Sequence, residues 1–263
     1  MESVAVAVRR ALLACNPRDK VMLTRKAARD WRLGRLQFAF DVAMPDAPGR
    51  PAQPELLPPN QMPRRGRGQS LRGRVALYHA IAHIEFTAID LALDIVGRFG
   101  GVMEPDFTSD FLSVAADEAL HFALLERHLR TLGSHYGELP AHAGLWEAAD
   151  DTRHDVAARL AVVPMVLEAR GLDVTPMMLE RVRSVGDTAG FRILTRILDD
   201  EIRHVRFGSI HFAALAKQRG ESFGEMWKSL VKRHFNGSLK PPFNDSARQS
   251  AGLPRELYTV LAC

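Results

Sequence analysis

Cysteine is nearly missing from this chain of 263 residues: there are two, Cys15 and Cys263, near opposite ends. Neither belongs to a Cys-x-x-Cys pair, which excludes a zinc ribbon, a rubredoxin module and a disulfide framework. Any metal site must then be built from oxygen and imidazole ligands. Long apolar runs are also missing. No stretch approaches the roughly 18 apolar residues of a membrane helix. Met1 to Cys15 is apolar and carries Arg9 and Arg10 toward its end. A secretory signal has its positive charge first, so a cytoplasmic protein is expected, with an amphipathic transit peptide as the alternative. Aromatic residues are few, 7% of the chain, and none interleaves with the arginines of the run Arg64 to Arg74, RRGRGQSLRGR. That run is read as a solvated connector; its alternative is a phosphate- or RNA-contacting strap without base stacking.

What is present is hydrophobic content of 46% and an ordinary charged fraction of 25%, enough for a sizeable core. Apolar spacing predicts helices over Met1 to Ala14 and Asp19 to Asp41. Ala43 to Gly73 holds seven prolines and can continue neither a helix nor a central strand. It reads as an ordered belt anchored by Leu56, Leu57 and Met62. From Arg74 onward the period is close to 3.6. Four long helices are predicted: Arg74 to Phe99, Ser109 to Leu132, Leu145 to Arg170 with a kink at Pro164, and Asp187 to Arg219. Glycines at 100, 133, 171 and 220 supply the stops. Shorter helices are expected over Pro176 to Val185 and Phe223 to Phe235. Strand-like alternation persists nowhere. The expected class is all-α, with a four-helix bundle core.

Two of those helices carry Glu-x-x-His, as Glu118–His121 and Glu201–His204. A separation of three puts both side chains on one helix face, a turn apart. The other two each carry one glutamate in apolar surroundings, Glu85 and Glu168. Glu85 to Glu118 spans 33 residues, and so does Glu168 to Glu201; the two halves are offset by 83. The chain therefore holds two copies of a helix-pair unit. Two such pairs can meet about a pseudo-twofold axis and supply four carboxylates and two imidazoles, the ligand set of di-iron and di-manganese carboxylate bundles. Hard carboxylates suit iron and manganese, and four of them neutralise two divalent cations. Asp117 and Asp200 are placed to orient the histidine of the opposite motif by hydrogen bonds, and Arg203 to pair with one of them. Tyr78 lies seven residues before Glu85, and His211 seven after His204; both are candidates to line the pocket. His79 and His83 lie off the Glu85 face.

With these motifs, and with the strings HAIAHIEFTAIDLALD, DEALHFALLERHLRTLGSHYGELPAHAGLWEAA, RLAVVPMVLEARGLDVTP and LKPPFN, the chain resembles an uncharacterised branch of the ferritin-like superfamily, domain of unknown function 455. More distantly it is similar to a di-iron hydroxylase that modifies isopentenyl-adenosine in tRNA. The resemblance implies a ferritin-like bundle over residues 74–235, N-terminal helices and the belt over 1–73 packed on it, and a tail over 236–263. It also implies a di-metal site and no settled substrate. Departures narrow the reading. A ribonucleotide reductase small subunit has a tyrosine four residues after the first motif histidine, where this chain has Leu125. The cysteine-rich module of rubrerythrins is missing, and cage ferritins lack the second Glu-x-x-His in this form. The expected activity is a dioxygen-dependent non-haem di-iron hydroxylase or oxygenase on a small organic molecule. Its cofactors are two iron ions, with manganese or mixed iron and manganese as variants, and dioxygen is the co-substrate. An external donor, ferredoxin or flavoprotein reductase, is expected because no flavin or iron–sulfur motif occurs. tRNA hydroxylation, with RNA as partner, and non-enzymatic iron or peroxide handling are the alternatives. No membrane partner is expected, and a homodimer is compatible.

Overall fold

A computed structural model describes residues 1–58, 61–62, 70–142 and 144–262. Most of the arginine run, including residues 64, 65 and 67, lies outside the described residues, so its reading as a connector or strap receives no structural account. Among the described residues the fold is all-α, as expected, with two small parallel strand pairs. No described helix is long and apolar enough to cross a membrane. Packing divides the chain into two compact units, Met1–Trp146 and Glu147–Cys263.

In the first unit, β1 (Glu2–Ser3) leads into α1 (Val4–Leu12). Ser3 caps α1 by accepting from the Val6 amide at 3.2 Å. Then come α2 (Pro17–Arg32), β2 (Leu36–Gln37) and β3 (Leu56–Leu57). Asn16, not Asp19, begins α2: its side chain accepts from the amides of Arg18 and Asp19, and Pro17 takes the first helical position, where a missing N–H costs nothing. The helix stops at Arg32, well before the expected Asp41, because Gly34 adopts φ +65°, a left-handed geometry that ends helices. The chain then returns, and Leu36 pairs with Glu2 in parallel.

The belt is anchored only partly as expected. Leu56 is exposed, and its segment is held by backbone pairing with β4 (Ala141–His142). Leu57 and Met62 are half-buried, and further apolar anchors are Met44 and, just before the belt, Phe40. The latter two occupy the space that a Cβ would need at Gly97 and Gly100.

The long helices α3 (Leu71–Phe99) and α4 (Pro105–Thr131) pack on each other. A buried ion pair, Lys20–Asp90, ties α2 to α3. Lys20 Nζ also donates to the Leu12 carbonyl at 2.8 Å. Burial pushes the Asp90 carboxyl up to about 6 and the Lys20 ammonium down.

In the second unit the expected third helix is broken. α5 (Gly144–Asp151) starts across the unit boundary, and α6 (Val156–Val162) begins afresh at Asp155, whose carboxylate accepts from the Ala157 amide. A π-helical turn follows over Val163–Glu168, then α7 (Ala169–Ser184). α7 runs through Gly171, the expected stop, and through Pro176, absorbing the separate short helix expected there. Proline at 176 frees the carbonyl four residues back, and Asn244 Nδ2 takes it up, donating to Leu172 O at 3.1 Å. The chain continues through α8 (Thr188–Arg219), α9 (Phe223–His234), α10 (Asp245–Ser250) and α11 (Arg255–Tyr258). α8 stops as expected at Gly220, φ +68°.

Candidate metal centre

In the first unit, α3 and α4 bring Glu85, Glu118 and His121 together in the core. One ligand atom from each lies within 4.8 Å of the others. His121 Nδ1 is 3.0 Å from Glu85 Oε2 and 3.5 Å from Glu118 Oε2. Their exposures, 3%, 0% and 0%, decide the electrostatics, because a carboxylate so desolvated is costly unless a cation or proton compensates it. Glu85 shows the cost: burial, then the charge of Glu118, raises its carboxyl well above the ordinary range. Asp117 is half-buried beside Glu118.

The second unit carries the same Glu-x-x-His pair on α8. His204 Nδ1 lies 3.7 Å from Glu201 Oε2, and both residues are buried. Asp200 pairs with Arg196 and, at 3.3 Å, with Arg203, all on the same helix. His211 is buried further along α8. Glu168 ends the π-helical turn, which packs against α8. A π turn inserts an extra residue and re-aims the side chains that follow it. Pro164 marks the turn: with no amide hydrogen it cannot join an α-helical ladder. The expected kink is thus a local change of helix type just before Glu168.

Sequence reasoning overlooked Gly208, four residues after His204. A Cβ there would lie 2.5 Å from the Pro164 ring, so only glycine lets α8 approach the turn so closely. Gly208→Ala is expected to destabilise the protein by about 1–3 kcal/mol, the usual cost of overpacking, and to weaken metal retention through Glu168. Denaturant titration and metal analysis check both. Wild-type values for each would refute the role of this contact.

The histidines off the Glu85 face hold the connection after α4. His83 Nε2 lies 3.0 Å from the His142 carbonyl, which can only accept, so Nε2 carries the proton and Nδ1 accepts from Tyr136 Oη at 2.9 Å. His79 Nε2 accepts from the Gly137 amide at 2.9 Å. Tyr78 is a core tyrosine, its ring edge-on to His128 at 4.6 Å. Burial lowers the His83 imidazole from 6.5 to about 4. A depressed value means that the folded state binds fewer protons than the unfolded state. The contribution of His83 is therefore complete above 6.5 and is lost as the pH falls through 4. The protein should lose about 3 kcal/mol over that window, measured by urea unfolding. His83→Gln should flatten the dependence, and an unchanged slope in that variant would assign it elsewhere.

A family model described as "Protein of unknown function (DUF455)" matches residues 13–259. An uncharacterized protein of Haemophilus influenzae is 40% identical over 257 residues, covering 93% of this chain and 88% of the relative. No solved structure matches.

Proposed function

The chain belongs to the DUF455 family of proteins of unknown function, and from that premise we propose that its two ligand faces, Glu85–Glu118–His121 and Glu168–Glu201–His204, together hold two metal ions in a ferritin-like, dioxygen-dependent oxidoreductase. The observation that carries this reading is the buried convergence of Glu85, Glu118 and His121 within 4.8 Å. The repeated Glu-x-x-His pairing on α8 at the same spacing supports the second face. The donor set fits hard divalent cations: four carboxylates offset two such charges, and two neutral imidazoles add affinity without thiolates. Iron or manganese so held would supply the electrons for reducing dioxygen, which no side chain in the set can supply. The chain's residues bind and shield. Burial and the neighbouring Glu118 raise the Glu85 carboxyl, and a bound cation would act in the opposite direction, favouring the carboxylate. Ile81, Phe86, Ile89 and Phe122, close to these ligands along α3 and α4, are all buried and would help keep bulk water away. A small organic substrate and an external electron-donating protein complete the proposal.

The test is anaerobic loading with ferrous iron, followed by oxygen. Paired metal ions per chain and oxidised di-iron absorbance are the expected result. A protein that never retains metal, whether from its native host or after loading, would overturn the reading. Iron oxidation with no organic product in substrate screens would reduce it to iron handling.

A further inference from the structure

The first unit carries a second chemical feature on α1 and α2, separate from the buried acids. Residues 1–35 hold nine Arg or Lys against three Asp or Glu. On α2, Arg18, Met22, Arg25, Arg29 and Arg32 are all exposed. At roughly 100° per residue they fall within an arc of roughly 80°, forming one stripe about 21 Å long. Among the described residues, Arg9, Arg18, Arg25 and Arg32 make no salt bridge. Arg29 has a 3.5 Å contact with Asp30, and Arg10 pairs with Glu2.

Beside this stripe, α1 and α2 leave an open groove of about 780 Å³. Leu13, Met22, Leu23 and Val42 make it apolar, Arg9 and Arg10 also line it, and among the described residues Asp19 is the single acid there. Met22 is 60% exposed and Leu13 38%. Exposed aliphatics gathered in a groove and rimmed by charged residues mark a recognition surface.

We propose that this face docks an acidic amphipathic helix of a partner protein, its apolar ridge in the groove and its carboxylates on the arginine stripe. Charge complementarity selects an acidic partner. The groove selects a protein helix over nucleic acid: a phosphate backbone has no use for an aliphatic trough, and among the described residues no aromatic lines it for base stacking. A helix laid in a groove uses an i, i+4, i+7 register of its own, and the 21 Å stripe matches about four turns of it.

The experiment uses the full chain and a fluorescein-labelled synthetic helix of leucine and glutamate with one apolar ridge, read by anisotropy. Binding should exceed that of a scrambled peptide of the same composition and weaken with added salt. Reversal of Arg18, Arg25 and Arg29 to Glu should lower affinity about tenfold or more. Met22→Asp should also lower it. The single change Arg25→Gln is the gentler variant should the triple one misfold, with circular dichroism as the control. Equal binding of the scrambled peptide would overturn the proposal, as would no binding at all. So would tighter binding of polyuridylate or phosphatidylserine vesicles that survives Met22→Asp.

Discussion

Glu118→Gln is expected to abolish metal binding at the proposed centre while making the metal-free form more stable. Glu118 is fully buried, and after burial itself its charge is the largest cause that pushes the Glu85 carboxyl upward. Replacing the carboxylate with an amide of the same shape removes that repulsion and one desolvated charge. The gain should be about 1–3 kcal/mol in thermal or denaturant unfolding of metal-free protein. An amide is a poor ligand for a hard cation, so bound iron should fall by about tenfold or more. The opposite signs matter. A purely structural role would make Glu118→Gln neutral or destabilising, with no effect on metal content. A variant that retains full metal, or loses stability in the metal-free form, would sink the assignment of Glu118 as a ligand.

The largest loss of stability should come from the second unit. Arg248 is 1% exposed and grips Asp173 with both nitrogens, Nε to Oδ1 at 2.8 Å and Nη2 to Oδ2 at 2.7 Å. Its guanidinium lies over Tyr258 at 4.5 Å and Phe243 at 5.2 Å. Asp173 Oδ1 also accepts from the Asn244 amide at 3.0 Å. Asp173 thus joins α7 to the C-terminal segment. Asp173→Ala strands a buried guanidinium and a backbone donor together, and should cost about 3–5 kcal/mol. The double change Asp173→Leu with Arg248→Met removes both charges and should recover most of that loss. Denaturant unfolding measures the energies. Limited proteolysis should show early cleavage around α10 in the single variant. Equal stability of the single and double variants would mean that packing, not charge compensation, holds the segment.

Much of the fold was legible from local chemistry. Apolar spacing found α3, α4, α8 and α9 to within a few residues, because long amphipathic helices combine period and stop signals such as Gly220. The Glu-x-x-His pairs were legible for a similar reason: a helix turns an i, i+3 spacing into shared geometry wherever it occurs. What misled was local grammar that distant atoms overrule. Gly171 read as a helix end and Pro176 as the start of a new short helix, yet α7 continues through both because Asn244, far along the chain, satisfies the carbonyl that Pro176 leaves open. Leu56 read as an anchor by its side chain, yet it is exposed and its segment is held by β4.

The amino-acid sequence alone determined the helical class, the positions of most long helices, and the residue types of both Glu-x-x-His motifs with their upstream glutamates, since all three follow from spacing along one chain. Tertiary structure decided how deeply Glu85, Glu118 and His121 are withdrawn from water, that a π turn precedes Glu168, and that Gly208 admits the Pro164 ring. It also left the arginine stripe of α2 facing solvent. Burial and close approach depend on residues far apart in the chain, and a pattern of neighbours carries no measure of distance through space.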